Sequence, residues 1–403
     1  MAVVPVGVRV RYRLTPWWVK VAVVFVLSRV VTTAIMLSFA ARQLPNAWTG
    51  ANPGYVDFAS IWDGHWYYII SVVGYPSELP HTDDGHVGEN AWAFMPAYPA
   101  VVRLLMLITG ADFPVVAVVV SVLSALGAAL LFYRLLSLLL PGETALFAVV
   151  LFCVAPLSPI LQVSYAEPLH LLLLVGALYL LVQRRYWMML PVVAVMALTR
   201  PSGLAFALAL GLHVVYRFVR RRREEFPLGE RISSVVATVF SGAMGLAWVG
   251  AAWAITGSPT AYTDTELAWR SAYIGYQELV PFTPWLKAAG FWAGNWGLPL
   301  PLLVVILALV VVGFFAALFT PWARRLGVDL RLWIASYGLY LLAVFFPQSS
   351  TFRLLVPLFP ALGALAQPRS PWYRIALVVL CVAGQFAWVE IAWWVDGYDW
   401  TPP

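Results

Sequence analysis

Long apolar runs, rich in Val, Leu and Ala and separated by short arginine-bearing loops, make up most of this chain. Each run is long enough, or nearly so, for a membrane-crossing helix, which needs about 20 apolar residues. The runs predict spans over about 19–40, 113–140, 144–165, 168–183, 187–198 and 204–219 in the first half. Further spans are expected over about 233–256, 298–320, 332–346, 354–365 and 375–395, about eleven in all. Strands of a β-barrel would alternate apolar and polar positions, and these continuous runs do not. The expected class is an all-α polytopic membrane protein, a single domain over 1–403.

Two polar stretches interrupt the pattern. The first lies within a long loop, 41–112, and its core at 54–99 holds Asp57, Asp63, Glu78, Asp83, Asp84 and Glu89 with three of the five histidines. Residues 57–70 have helical character, and Trp62, Trp66 and Ile70, spaced by four, suggest an aromatic face lying at the membrane surface. The apolar piece 96–110 is short for a span and reads as a re-entrant or juxtamembrane helix. The second polar stretch, 257–296, carries Asp264, Glu266, Arg270, Glu278 and Lys287.

Charge orders these elements across the membrane. Composition is 62% hydrophobic and 11% charged, the latter about half the fraction usual for a soluble domain. Arg9, Arg11, Arg13 and Lys20 place the N-terminus in the cytoplasm, and the first span reads as retained, without a signal cleavage site. Arg184, Arg185, Arg217, Arg220, Arg221, Arg222, Arg223, Arg231, Arg324, Arg325, Arg331, Arg369 and Arg374 then fall inside, while most acids fall outside. Arg134 lies near the inner end of its span, and Arg29 lies within the first. Arg42, Arg103, Arg200, Arg270, Lys287 and Arg353 are the basic residues on the outer side. The net charge of +6 follows from these loops and implies no nucleic-acid partner. Cys153 and Cys381 fall inside apolar spans, where they read as small core residues instead of a disulfide. Arginine over lysine, with abundant Trp, Ala and Val, suits a high-GC bacterium and hence the plasma membrane.

Charge in such a chain is costly and marks candidate chemistry. Asp63 in IWDGHW is the candidate general base, or else a solvated carboxylate on an interfacial helix. Asp57 is a second candidate acid, on another face. Glu89 precedes NAWAFMPAYP, and Glu167 in SYAEP stands where two spans meet, as a functional acid or a helix cap before Pro168. Arg200 in TRPSG and Arg353 in QSSTFR are candidate phosphate ligands with His65, because guanidinium binds phosphate through planar paired hydrogen bonds. A lone arginine there also reads as one that snorkels. Trp62, Trp66 and Tyr67 are candidates to stack on sugar faces. His170 and His213 read as packing residues. His81 and His86, near Asp83 and Asp84, match no standard metal spacing.

IWDGHWYYIISVVGY followed by ENAWAFMPAYP resembles the first luminal loop of PIG-V-type mannosyltransferases, members of the GT-C class. APLSPILQVSYAEPLHLLLLVGALYL, ALTRPSGL and SSTFRLLVPLFP resemble later elements of that family, in the same order, over about 54–360. The resemblance is to a bacterial, actinobacterial type. Met95 stands where the family usually has a second Phe, His65 and Trp66 depart from the common residues, and 81–88 is an insertion.

The resemblance implies an inverting transfer of mannose from polyprenyl-phosphate-mannose to a lipid-anchored glycolipid or a protein acceptor on the outer face. Asp63 would be the base, Glu167 and Glu89 orienting acids, and Arg200 and Arg353 contacts to the donor phosphate. No cofactor is expected beyond the donor substrate, a divalent metal stays open, and membrane lipids are the other partners. A lipid phosphate is already a good leaving group, so charge stabilisation by arginine should suffice without a strong general acid. Arabinosyl transfer and protein O-mannosyl transfer share this architecture. A transporter or flippase of lipid-linked sugars is the rival from another class, but acids near mid-membrane and paired broken helices are not evident.

Overall fold

A computed structural model of the chain describes residues 14–395. The Arg9, Arg11 and Arg13 anchor and the acidic tail lie outside the described residues. Among the described residues the apolar runs are helical and no strand forms; the sole β-pairing is an isolated bridge between His81 and Val87. Among the described residues seven helices are long and apolar enough to cross a membrane: Trp17–Ala40, Phe113–Ser137, Gly203–Arg220, Leu228–Thr256, Leu300–Ala317, Gly327–Val344 and Pro371–Trp393. Shorter apolar helices, including Ala97–Thr109, Gly142–Val154, Glu167–Val182 and Tyr186–Ala197, pack among them. The protein is a multi-pass, all-α membrane protein.

Two expected spans are broken, and proline is the reason. The run over 144–165 is helical only as Gly142–Val154, turns at Pro156, and resumes as a 3-10 segment Ser158–Gln162. The run over 354–365 becomes Thr351–Leu354, a 3-10 turn Val356–Ala361 containing Pro357 and Pro360, and Leu362–Leu365. Proline removes a helical donor and clashes with the preceding turn. Carbonyls freed in this way need partners inside a membrane. Arg29, buried in the first span, supplies them: Nη2 donates to Cys153 O at 2.6 Å and Nη1 to Ser158 O at 2.8 Å.

Helices cannot be driven together by hydrophobicity within lipid, so close contacts between small residues matter. Gly203–Arg220 packs along Leu228–Thr256, and the two cross at Gly203 and Gly245. A Cβ on Gly203 would lie 2.6 Å from Gly245 Cα, so both positions require hydrogen there. Ser241 Oγ donates to Gly203 O at 2.9 Å beside the crossing. Phe113–Ser137 and Tyr186–Ala197 flank Glu167–Val182, none of whose residues is exposed. Leu300–Ala317 has no buried residue and lies on the outside of the bundle.

The two ends of the bundle differ. One holds the arginine-rich loops and a buried network in which Asp329 Oδ1 meets His213 Nδ1 at 2.6 Å and Tyr186 OH meets His213 Nε2 at 2.8 Å. Arg217 joins it, donating to Glu230 at 3.1 Å and Glu224 at 2.6 Å. The other end carries both polar stretches. There Arg42 lies over the Phe39 ring, Arg103 donates to Val72 O, Arg270 to Val344 O and Lys287 to Glu278 O. Arg200 and Arg353 pair with acids instead, as described next.

The aromatic stripe of the first polar stretch points into the protein, contrary to the expectation of a helix floating on the membrane surface. Residues 57–70 form two helices, Tyr55–Phe58 and Asp63–Val72, broken at Trp62. Trp62 and Ile70 are buried, and Trp66 stacks on Phe94 at 5.7 Å. The segment 89–99 and the helix Pro371–Trp393 supply the apolar surface that covers them.

Candidate active site

Asp63 is the first residue of its helix, and the backbone that presents it is unusual. Trp62 has φ 58°, a left-handed conformation that a bulky side chain rarely adopts. Such conformations persist only where the surroundings hold them, and they cluster at functional sites. Here the Trp62 indole donates to Trp393 O at 3.3 Å, and the Trp393 indole donates to Phe58 O at 2.9 Å. The Asp63 amide donates to Tyr165 OH at 3.2 Å.

The same contacts bring up the second acid. Ser164 N donates to Ala59 O at 2.9 Å, and the hydroxyls of Ser60 and Ser164 are 2.7 Å apart. The SYAEP segment is therefore stitched to the turn before Asp63. Glu167 opens the helix Glu167–Val182 with Pro168 behind it, where a carboxylate is favoured by the helix dipole. Arg200 comes from the loop between Tyr186–Ala197 and Gly203–Arg220, which Ala97 N ties to the first polar stretch by donating to Leu198 O at 2.9 Å. Arg353 lies on the short helix Thr351–Leu354, whose end is held by the Tyr337 hydroxyl donating to Leu354 O at 2.9 Å.

Four distant segments thus converge on one ion-paired cluster. Arg353 Nη1 bonds Asp63 Oδ2 and lies 3.3 Å from Glu167 Oε1, to which Arg200 Nη2 approaches within 3.1 Å. All four side chains are largely buried, from 5% exposure for Glu167 to 17% for Arg200. Two carboxylates and two guanidiniums balance, which is how buried charge is tolerated. Burial is the largest influence and disfavours the arginine charges, but the surrounding acids and tyrosines together, led by Glu167 for Arg200 and Asp63 for Arg353, outweigh it, so both are held above the usual arginine range. Glu167 Oε2, Arg353 Nε and Trp269 Nε1 remain buried with no hydrogen-bond partner among the described residues.

The cluster lines a cavity of about 390 Å³. Phe94 and Met95 form one wall, Tyr337 and Tyr340 another, and Tyr262, Glu266, Trp269 and Arg270 a third. That third wall is one face of the helix Ala261–Ile274 in the second polar stretch. Burial pushes the Glu266 carboxyl above the usual range, with the Arg270 guanidinium acting against it.

Of the candidates read from the sequence, Asp63, Glu167, Arg200 and Arg353 meet in this cavity. Asp57 and Glu89 are exposed and do not line it. His65 is exposed on the other side of its helix, edge-on to Trp48 at 5.4 Å. Trp62 is buried beneath the cluster, and Trp66 and Tyr67 pack behind Phe94, so the rings lining the cavity are others, among them Phe94, Trp269, Tyr262, Tyr337 and Tyr340. The wall from 262–270 is marked in the sequence by Glu266 and Arg270 only as charges of the second polar stretch, with no role in the site. Its spacing of four, seven and eight residues from Tyr262 is the signal that places those side chains on one helical face.

Two solved structures of an oligosaccharyltransferase from Archaeoglobus fulgidus resemble this chain. The archaeal oligosaccharyltransferase AglB, in complex with an inhibitory peptide and a dolichol-phosphate, aligns with 91% of this chain and 55% of its own, at 12% identity and TM-score 0.47. The Archaeoglobus fulgidus enzyme tethered to an acceptor peptide containing the NVT sequon aligns with 91% and 53%, at 12% identity and TM-score 0.43. The chain spans about half the length of these structures. No curated protein matches it. The family model described as Mannosyltransferase (PIG-V) matches residues 19–242, over half of the chain and the part that carries Asp63, Glu167 and Arg200. By that match the chain belongs to the PIG-V mannosyltransferase family.

Proposed function

We propose that the protein transfers mannose, with inversion, from polyprenyl-phosphate-mannose to a lipid-anchored acceptor at the extracytoplasmic face, with Asp63 as general base. The observation that carries this reading is the convergence of Asp63, Glu167, Arg200 and Arg353 from four segments onto one cavity. In the reaction the acceptor hydroxyl oxygen bonds to the anomeric carbon as the carbon–oxygen bond to phosphate breaks. The hydroxyl proton passes to the Asp63 carboxylate, and the electron pair leaves on the polyprenyl phosphate.

The arginines account for the leaving group. A phosphate arriving at Arg353 and Arg200 competes for the same N–H groups that hold Asp63 and Glu167, so donor binding releases the carboxylate that must act as base. Guanidinium charge then stabilises the departing phosphate, and the cavity aligns the two reactants. An apolar groove of about 960 Å³ shares Gln348 with the cavity and runs past Phe352, beside Arg353, toward Trp292, Phe359 and Trp388. A prenyl chain whose phosphate lies at Arg353 suits that groove.

The test is transfer by the purified protein in liposomes, with radiolabelled polyprenyl-phosphate sugars and a panel of lipid acceptors. Label should move from polyprenyl-phosphate-mannose to a lipid in the wild type and not in Asp63→Asn. Normal transfer by Asp63→Asn would make the base assignment wrong.

A further inference from the structure

The insertion in the first polar stretch has no part in the reaction described above, yet it builds a second cavity. The insertion, 81–88, folds back on itself, with Thr82 N donating to His86 O at 2.8 Å and His81 bridging to Val87. The His86 ring lies flat on Tyr276, with centroids 4.1 Å apart and planes 8° from parallel. That stack pins the insertion to the chain that follows the helix Ala261–Ile274. Between them is an open cavity of about 770 Å³, within the range of roughly 300–1,000 Å³ usual for small-ligand sites.

Its lining is unlike that of the reaction cavity. Glu78, Asp264 and Glu278 contribute carboxylates, His81 and Ser77 contribute groups that donate or accept, and no arginine or lysine among the described residues lines it. Such a surface repels phosphate and accepts hydrogen bonds from hydroxyls. It does not form a cage for a quaternary ammonium, because the faces of His86 and Tyr276 are turned on each other.

Its position links it to the chemistry. Leu267 lines both cavities, so the helix Ala261–Ile274 is a partition with Asp264 on one side and Glu266 and Arg270 on the other. Thr256, also in the lining, ends the long span Leu228–Thr256, and Ser258, likewise in the lining, lies two residues beyond it. Trp253 and Ile255 on the last turn of that span are exposed apolar residues, which places the cavity at the height of lipid headgroups.

We propose that this second cavity is the acceptor subsite, taking the neutral, polyhydroxylated headgroup of a lipid-borne acceptor while one hydroxyl passes Leu267 into the reaction cavity. The assignment rests on the mannosyl-transfer reading and adds the class of acceptor. Charge then sorts the substrates: the anionic donor goes to the arginines and the neutral polyol to the acids.

The test uses the full-length protein in liposomes with polyprenyl-phosphate-mannose. The acceptors are a dialkylglycerol bearing one hexose and free methyl hexoside, and the same dialkylglycerol bearing phosphocholine is the competitor. The expected result for Asp264→Asn combined with Glu78→Gln is an acceptor KM raised about tenfold or more for the hexosyl lipid. Donor KM and acceptor-independent hydrolysis of the donor should stay at wild-type values. An unchanged acceptor KM, or competition by the phosphocholine lipid, would overturn the proposal. Equal use of methyl hexoside and hexosyl lipid would overturn the lipid-borne part. A wild type that neither hydrolyses nor transfers the donor sugar would instead sink the reaction. The subsite is then judged by calorimetric binding of the hexosyl lipid, which Asp264→Asn with Glu78→Gln must weaken.

Discussion

Asp63 and Arg353, separated by 290 residues in sequence, are bonded side chain to side chain. The pair joins a helix start in the first polar stretch to a proline-broken segment near the end of the chain. It also couples the proposed base to a proposed phosphate ligand, so neither can change partner without the other.

Replacing Asp63 with Asn keeps the shape and removes the base. Transfer should fall by about 10²- to 10⁴-fold, the usual range for general base catalysis. The thermal midpoint in detergent should drop far less than for removal of Arg353, because the amide still accepts a hydrogen bond from the guanidinium. Initial rates with saturating donor and acceptor, alongside thermal unfolding, check both halves.

Arg353→Ala leaves Asp63 buried without its partner, and breaking such a pair costs about 3–5 kcal/mol. The variant should unfold at lower temperature and need more donor for half-maximal rate. Adding Asp63→Asn removes the stranded charge and should restore part of the midpoint, a non-additive result expected of contacting residues. Strictly additive losses would show that the two side chains are not coupled.

Gly245→Ala places a methyl group 2.7 Å from Leu204 N at the crossing that follows the Arg200 loop. Overpacking of this kind costs about 1–3 kcal/mol. Since Gly245 also lines the reaction cavity, donor KM should rise along with the fall in stability. Gly250→Ala, where a methyl meets nothing within 4 Å, is the matched control and should behave as wild type.

Asp329→Ala tests the other end of the bundle. It strands the buried His213 ring, whose Nδ1 meets Asp329 Oδ1 at 2.6 Å, at a cost of about 1–3 kcal/mol. The thermal midpoint should fall while donor and acceptor KM stay unchanged. A changed KM would mean that this network communicates with the reaction cavity.

Much of the architecture could be read from the chain alone. Apolar run length determined that it is a multi-pass helical protein, because lipid leaves the backbone few other ways to satisfy its hydrogen bonds. Of the residues picked from the motifs, Asp63, Glu167, Arg200 and Arg353 meet in the cavity, whereas Asp57, Glu89 and His65 do not line it. Proline-containing runs were the places where length misled, since 144–165 and 354–365 are broken helices. The aromatic stripe from Trp62 to Ile70 misled for another reason: spacing shows which residues share a face but not what that face meets.

Only the tertiary structure decided the partnerships. That Arg353 takes Asp63, that both arginines meet one oxygen of Glu167, and that Phe94 and Trp269 replace Trp62 and Trp66 as cavity walls are facts of contact between remote segments. Local periodicity reports on the few residues within a helical turn. Buried charges are placed by whichever opposite charge the packing of distant helices brings within reach.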